Sequence, residues 1–248
     1  MALGSQQLGA NKDTRRAQPE SLRTVILQRR TLLILGILVV FNALLIFSSY
    51  TFGLKKPNPA LFFEERHVVT FFSCLFLAGT ALTAFIIGYL HRRIDGAHPV
   101  ANFWWLSGVG TLAMSMDDWF QGHEGIDSAV LRLLGTPAHP YQFDGYVIAL
   151  LGLIALAGSW YYRREVSRHP PLVFFLLLVG VCVAGTVGFD QVATGLGPHL
   201  DLVIEESFKV VGASLLFGGY LTVLLDFLKR ILAASSASSS ENDGTKCK

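Results

Sequence analysis

Residues 31–50 read TLLILGILVVFNALLIFSSY, a run of twenty residues without a charged side chain. About 20 apolar residues in an α-helix cross the hydrocarbon core of a bilayer, because each residue rises about 1.5 Å and the core is about 30 Å thick. A strand is excluded because open sheet edges leave backbone groups unpaired in lipid. The run is also too long for the core of a cleavable signal peptide. It therefore predicts a first membrane-spanning helix.

Five further segments share the length and the apolar character of the first. They predict spanning helices at 68–90, from 99 or 100 to about 120, at 145–162, from 171 to about 189, and from about 202 to 227. The sequence thus predicts an all-α polytopic membrane protein, a bundle of six transmembrane helices. The predicted domains are a basic, flexible tail at 1–30, the six-helix domain at 31–228, and a disordered tail at 229–248.

The composition agrees with a membrane protein and argues against other classes. Hydrophobic residues make up 52% of the chain and charged residues 15%, whereas a soluble domain usually carries about a quarter charged residues. A formal net charge of +2 is too small to predict binding to nucleic acid. Three cysteines are too few for a disulfide framework, and Cys74 and Cys182 lie inside apolar runs.

The basic residues are distributed unevenly between the two sets of alternating loops. Fifteen of the twenty lysine and arginine residues fall in the N-terminal tail, the loops near Arg92 and Arg163, and the C-terminal tail. Since cytoplasmic loops are enriched in these residues, both termini are predicted in the cytoplasm. Eleven of the eighteen acidic residues fall in the opposite, outer half. Acidic residues contribute little to topology, so function is a candidate cause of this asymmetry.

The first candidate functional segment closes the third predicted helix on the outer side and reads MSMDDWFQGHEGID over residues 114–127. Gly122 and Gly125 interrupt the helical pattern, which would let His123 fold back towards Asp118. Carboxylates with one histidine are a suitable ligand set for a hard or borderline divalent cation. The spacing differs from the HExxH motif of zinc peptidases.

The second candidate segment opens the sixth predicted helix from the same side and reads DLVIEESFK over residues 201–209. A charged residue within a membrane helix costs about 2.5–3.5 kcal/mol and usually marks a site in the bundle interior. Glu205 and Lys209 have the i, i+4 spacing of a helix ion pair. Glu206 has no such partner in the sequence pattern, which makes it the more informative residue of the two.

Both candidate segments are predicted to emerge at the same outer face of the bilayer. Their convergence predicts a cluster that holds a divalent metal ion, although a solvated acidic surface at the helix ends is the alternative interpretation. No catalytic residue is predicted. The predicted metal ligands are Asp118, His123, Glu124, Glu205 and Glu206.

The chain resembles a large group of uncharacterised bacterial multi-pass membrane proteins. The resemblance covers roughly residues 31–227, and it implies the same six-helix architecture and a bacterial inner-membrane location but no activity. Two positions depart from the pattern of that group, since Asp118 stands where Glu is usual and Lys209 where a third acid is usual. A fainter analogy links the chain to alkaline-ceramidase-like membrane hydrolases, whose paired late histidines it lacks. The matching residues are Asn58 and Pro59, Asp117 and Asp118, His123 and Glu124, Glu205 and Glu206, and Gly212 and Ala213.

Three functions are compatible with these patterns. The first is a subunit or scaffold of a membrane complex, with a membrane-protein partner or a second copy of the chain in the lipid bilayer. The second is a metal-dependent, hydrolase-like enzyme that acts on a lipid or another outer-leaflet substrate, with the metal activating water. The third is an ion- or proton-coupled transporter, against which the charges count because they cluster at one surface rather than along a path.

Overall fold

The computed structural model describes residues 29–64, 66–96, 98–120, 144–191 and 197–244. Every regular element in these ranges is helical, and each of the six predicted apolar segments coincides with a long helix, so the all-α prediction is confirmed. The helices are α1 (Arg29–Gly53), α2 (Val68–Leu90), α3 (His98–Phe120), α4 (Asp144–Tyr161), α5 (Arg163–Val166), α6 (Pro170–Gln191) and α7 (Pro198–Gly244).

Four stretches of the described chain are long and apolar enough to cross a membrane, which indicates a membrane protein. They contain α1, α2, and most of α6 and α7. Helix α3 is not among them, and it carries Asn102, Ser107, Thr111 and Ser115 within its sequence. The four stretches are Arg29–Gly53, Leu61–Ile94, Pro170–Phe189 and His199–Ala233.

The helix ends follow from local sequence. Helix α1 ends at the buried Gly53, where a Cβ atom would clash with the backbone carbonyl of Pro59 in the returning chain. Helix α2 continues into a π-helical turn, His91–Asp95, and stops at Gly96, whose φ of 60° is the left-handed conformation of a helix C-terminus. Helix α6 begins with Pro170, because the first helical turn needs no backbone N–H donor there.

Helix α7 lies at the centre of the bundle and contacts four other helices. It runs antiparallel to α1, since the amide Nδ2 of Asn42 donates to Ser214 Oγ (2.7 Å) and a Cβ at Gly218 would lie 2.6 Å from Leu38. It also runs antiparallel to α6, because a Cβ at Gly185 would touch Phe208 and one at Gly219 would touch Phe175.

The contacts of α7 with α2 show the opposite relation. Phe76 packs on Phe217 with ring centroids 5.9 Å apart, and His91 packs on Phe227 at 4.7 Å, so the two helices run parallel. Helix α3 runs antiparallel to both, and its Ser107 hydroxyl contacts the hydroxyl of Tyr220. The alternating directions are those of consecutive helices that cross one layer back and forth.

These directions give the bundle two chemically different ends. One end holds Gly53, Phe120 and the first turns of α7, and we call it the acidic end. The other holds Arg30, the π-helical turn after α2, the α5 segment and the stretch around Arg230, and we call it the basic end. Described acidic side chains at the acidic end are Glu64, Asp117, Asp118, Asp201, Glu205 and Glu206.

The last part of α7 is helical in its backbone through residues 229–244. The disorder of the C-terminal tail stays a prediction. Alanine is the best helix former, and no proline or glycine interrupts this stretch before Gly244, so nothing local stops the helix.

Candidate functional site

Three helices contribute side chains to a cluster at the acidic end of the bundle. The thiol of Cys74 on α2 lies 3.6 Å from the carboxylate Oδ2 of Asp118 on α3. The hydroxyl of Ser115, one turn before Asp118, donates to the backbone carbonyl of Cys74 at 2.9 Å and ties the two helices together. Glu206 on α7 interacts electrostatically with Asp118, which brings the two sequence-predicted segments to the same end.

Within this cluster, the ammonium of Lys209 lies between two carboxylates. Its Nζ is 2.8 Å from Glu205 Oε1 and 2.6 Å from Glu206 Oε1. The predicted i, i+4 pair with Glu205 is therefore present. The expectation that Glu206 lacks a local partner is wrong, because the i, i+3 spacing lets the same flexible side chain reach it. Because Glu206 is only 3% exposed, Lys209 rather than water is the group that can compensate a charge on its carboxylate.

The five predicted metal ligands are only partly described. Asp118, Glu205 and Glu206 lie in α3 and α7 as given above, whereas His123 and Glu124 fall outside the described residues. Among residues 29–64, 66–96, 98–120, 144–191 and 197–244, no group of three or more histidine, cysteine or acidic side chains is arranged to hold a metal ion. The metal-site prediction stays a prediction.

A second ionisable cluster, not singled out in the sequence, lies at the basic end. The buried carboxylate of Glu165 on α5 is 3.3 Å from His169 Nε2 and 2.8 Å from an Arg168 guanidinium nitrogen. His91, at the start of the π-helical turn, brings its Nε2 to 3.9 Å from the same carboxylate. This cluster joins the end of α2 to the start of α6. The i, i+4 spacing of Glu165 and His169 was the available sequence signal.

The charge of Glu165 is held by its partners rather than by water. Burial alone would raise the pKa of this carboxyl, but hydrogen bonds from His169 and Arg168 outweigh burial and lower the pKa below its ordinary value. The ionised form is therefore favoured at neutral pH. Trp104 of α3, fully buried, packs edge-on against the His169 ring with centroids 5.8 Å apart and shields one side of the cluster.

Comparison with known proteins gives one match. A family model described as a domain of unknown function (DUF8692) matches residues 31–224, which covers the first five predicted spans, most of the sixth, and both ionisable clusters. No curated protein and no solved structure matches the chain.

Proposed function

The chain belongs to the DUF8692 family, a domain of unknown function, and from that premise we propose that it is a six-span protein of the bacterial inner membrane that serves as a subunit or scaffold of a larger membrane complex. The proposal has three parts, which are the number of spans, their orientation and the partner. Each rests on its own observation.

Six spans are supported by how α3 packs on α2. Near the basic end, a Cβ added to Gly88 would touch Trp105. Near the acidic end, Phe71 packs on Trp119 with centroids 6.2 Å apart. The two 23-residue helices thus lie side by side over their whole length, and a layer crossed by α2 is crossed by α3 as well. Helix α4 has 18 residues, most of them apolar, which suits a further span.

Orientation is supported by the charges at the two ends. Described arginines concentrate at the basic end, whereas the acidic end carries few basic side chains. The positive-inside rule assigns the basic end, and with it both termini, to the cytoplasm. The described basic residues at the basic end are Arg29, Arg30, Arg92, Arg93, Arg163, Arg164, Arg168, Lys229 and Arg230.

The partner is supported by the exposed face of α4. Among described residues, α4 has its main contacts with α5 and α6. Space is open around Gly152 and Gly158, since a Cβ at either would meet no atom of the described residues within 4 Å. Helices in lipid associate through close packing at small residues. We therefore assign this face to a helix of another membrane protein. The observation on which the subunit role depends is that α4, unlike α1 with its packing on α7, has few contacts with the rest of the described bundle.

The test is the mass of the assembly that is extracted from native membranes in mild detergent. Native mass spectrometry of the wild type should show this chain with a second, different chain. Gly152→Leu should release the partner because the larger side chain keeps the two backbones apart. Gly36→Leu on α1, where the space is equally open, is the matched control and should keep the partner. A wild-type monomer, or a homo-oligomer alone, would overturn the proposed partner.

A metal-dependent hydrolase is the weaker candidate. The Lys209 ammonium occupies the space between two of the proposed ligands, and a fixed positive charge opposes a divalent cation there. If the protein binds a divalent ion through His123 and Asp118, elemental analysis of purified protein should show that the ion is lost in His123→Ala. Equal metal content in both samples would remove His123 as a ligand.

A further inference from the structure

One face of α3 carries a polar side chain at each turn between the two ends of the bundle. The spacing of three or four residues keeps these side chains on the same face. Ser115 and Thr111 are buried, and Trp104 is fully buried. The hydroxyl of Thr111 bonds to carbonyls of its own helix, Ser107 at 3.0 Å and Gly108 at 3.2 Å. We call this set the polar row, and its members are Trp104, Ser107, Thr111, Ser115 and Asp118.

The polar row is joined to the neighbouring helices at both ends of its hydroxyl section. Towards the acidic end, Ser115 donates to the Cys74 carbonyl of α2, and the Cys74 thiol contacts Asp118. Towards the basic end, the hydroxyls of Ser107 and Tyr220 are in contact, and Tyr220 on α7 is only 5% exposed. Hydroxyl groups both donate and accept hydrogen bonds, which apolar packing residues cannot do.

The indole N–H of Trp104 is a further polar group of the row. Its indole N–H is buried and has no hydrogen-bond partner among the described residues. Leaving a buried donor unpaired is unfavourable, and an ordered water is a usual partner for such a group. The indole ring lies 5.5 Å from the Tyr220 ring and 5.8 Å from the His169 ring, centroid to centroid. It therefore connects the row to the Glu165 cluster.

We propose that the polar row is a proton route across the membrane, which opens beside Asp118 at the acidic end and leaves through His169 and Glu165 at the basic end. Side chains three or four residues apart on a helix lie about 5–6 Å from each other, so one water between successive hydroxyls completes the chain of hydrogen bonds. The Thr111 and Ser115 hydroxyls donate to backbone carbonyls at rest, so each must turn from its carbonyl to the neighbouring water to pass a proton along the row. Trp104, a donor only, orients water and carries no proton.

The exit of the route is equipped to receive and release protons. An imidazole can take up a proton on one ring nitrogen and release a proton from the other, which suits His169 to the last step of the route. Its ring nitrogen faces Glu165, which also faces Arg168 and His91. These groups come from α5, the start of α6 and the π-helical turn after α2. The route depends on the bundle of this chain alone and is independent of any partner on α4.

The experiment measures proton flux through purified full-length protein in liposomes that contain a pH-sensitive dye, with a potassium diffusion potential set by valinomycin. Wild-type vesicles should acidify faster than protein-free vesicles. Tyr220→Phe and Ser107→Ala should each slow the flux about tenfold, the change that about 1.36 kcal/mol of added barrier produces. Tyr89→Phe, at an exposed tyrosine of α2, and Thr51→Ala, at a hydroxyl bonded only within α1, are matched controls.

Two results would overturn the proposal. The first is a wild-type flux equal to that of protein-free vesicles. The second is a flux in Tyr220→Phe and Ser107→Ala equal to that of the two controls, which would show that protons do not follow the row. Ser107→Ala removes the other hydroxyl of the same contact on a different helix, so it keeps the test decisive if Tyr220→Phe fails to fold. Loss of the α4 partner would leave the wild-type flux unchanged, so this test and the assembly test fail separately.

Discussion

The ammonium of Lys209 contacts the carboxylates of both Glu205 and Glu206. These three charged groups lie where α7 enters the apolar layer. Removing one member of a buried ion pair costs about 3–5 kcal/mol, since the remaining charge is uncompensated. We expect Lys209→Met to lower the free energy of unfolding by about this amount, measured by denaturant titration in detergent. Lys56→Met, at an exposed lysine of the same end, should change it little. Equal stability of the two variants would contradict this role.

At the basic end, the lowered pKa of Glu165 makes stability depend on pH. A carboxyl whose pKa is lower in the folded state contributes stability above its unfolded pKa of about 4.3. That stability is lost as the pH falls from there towards the folded pKa. Unfolding curves at a series of pH values should therefore show a smaller acid-side slope for Glu165→Gln than for the wild type. Equal acid-side slopes in the two proteins would contradict this role of Glu165.

Helix packing gives a prediction that compares two glycines of α3. A Cβ at Gly108 would lie 2.5 Å from the Phe85 ring of α2, whereas a Cβ at Gly110 would meet nothing within 4 Å. Overpacking a tight contact costs about 1–3 kcal/mol. Gly108→Ala should thus lower the midpoint of thermal unfolding in detergent, and Gly110→Ala should not. Equal midpoints would show that α2 and α3 separate enough to accept a methyl group.

The positions of the helices were easier to predict from the sequence than the side-chain contacts between them. Length and hydropathy suffice for α1 or α6, because a spanning helix satisfies its backbone within one segment. The second carboxylate partner of Lys209 was missed because the prediction considered one spacing only. The partner of Asp118 was also missed, since Cys74 is 44 residues away in the chain. Glu165 looked like an ordinary loop acid among arginines, and only the bundle brings His91 to it.

For the molecule as a whole, we expect the acidic and basic ends to face opposite compartments. Single cysteines at Lys55 and Arg92, made by Lys55→Cys and Arg92→Cys in a cysteine-free background, would report this with a membrane-impermeant maleimide on intact cells. Lys55→Cys should be labelled, and Arg92→Cys should react only after the membrane is permeabilised. Labelling of both positions on intact cells, or the reverse pattern, would contradict the proposed topology.

The central place of α7 also has a consequence for biosynthesis. A ribosome makes this helix after all the others, yet α1, α2, α3 and α6 each have contacts with it. Until α7 leaves the insertion machinery, Asn42 cannot form its hydrogen bond to Ser214. The helices made earlier then leave the position of α7 in the bundle empty. The bundle formed by these helices therefore cannot close until α7 has been made. A stop codon ahead of residue 198 should give a product that quality-control proteases remove.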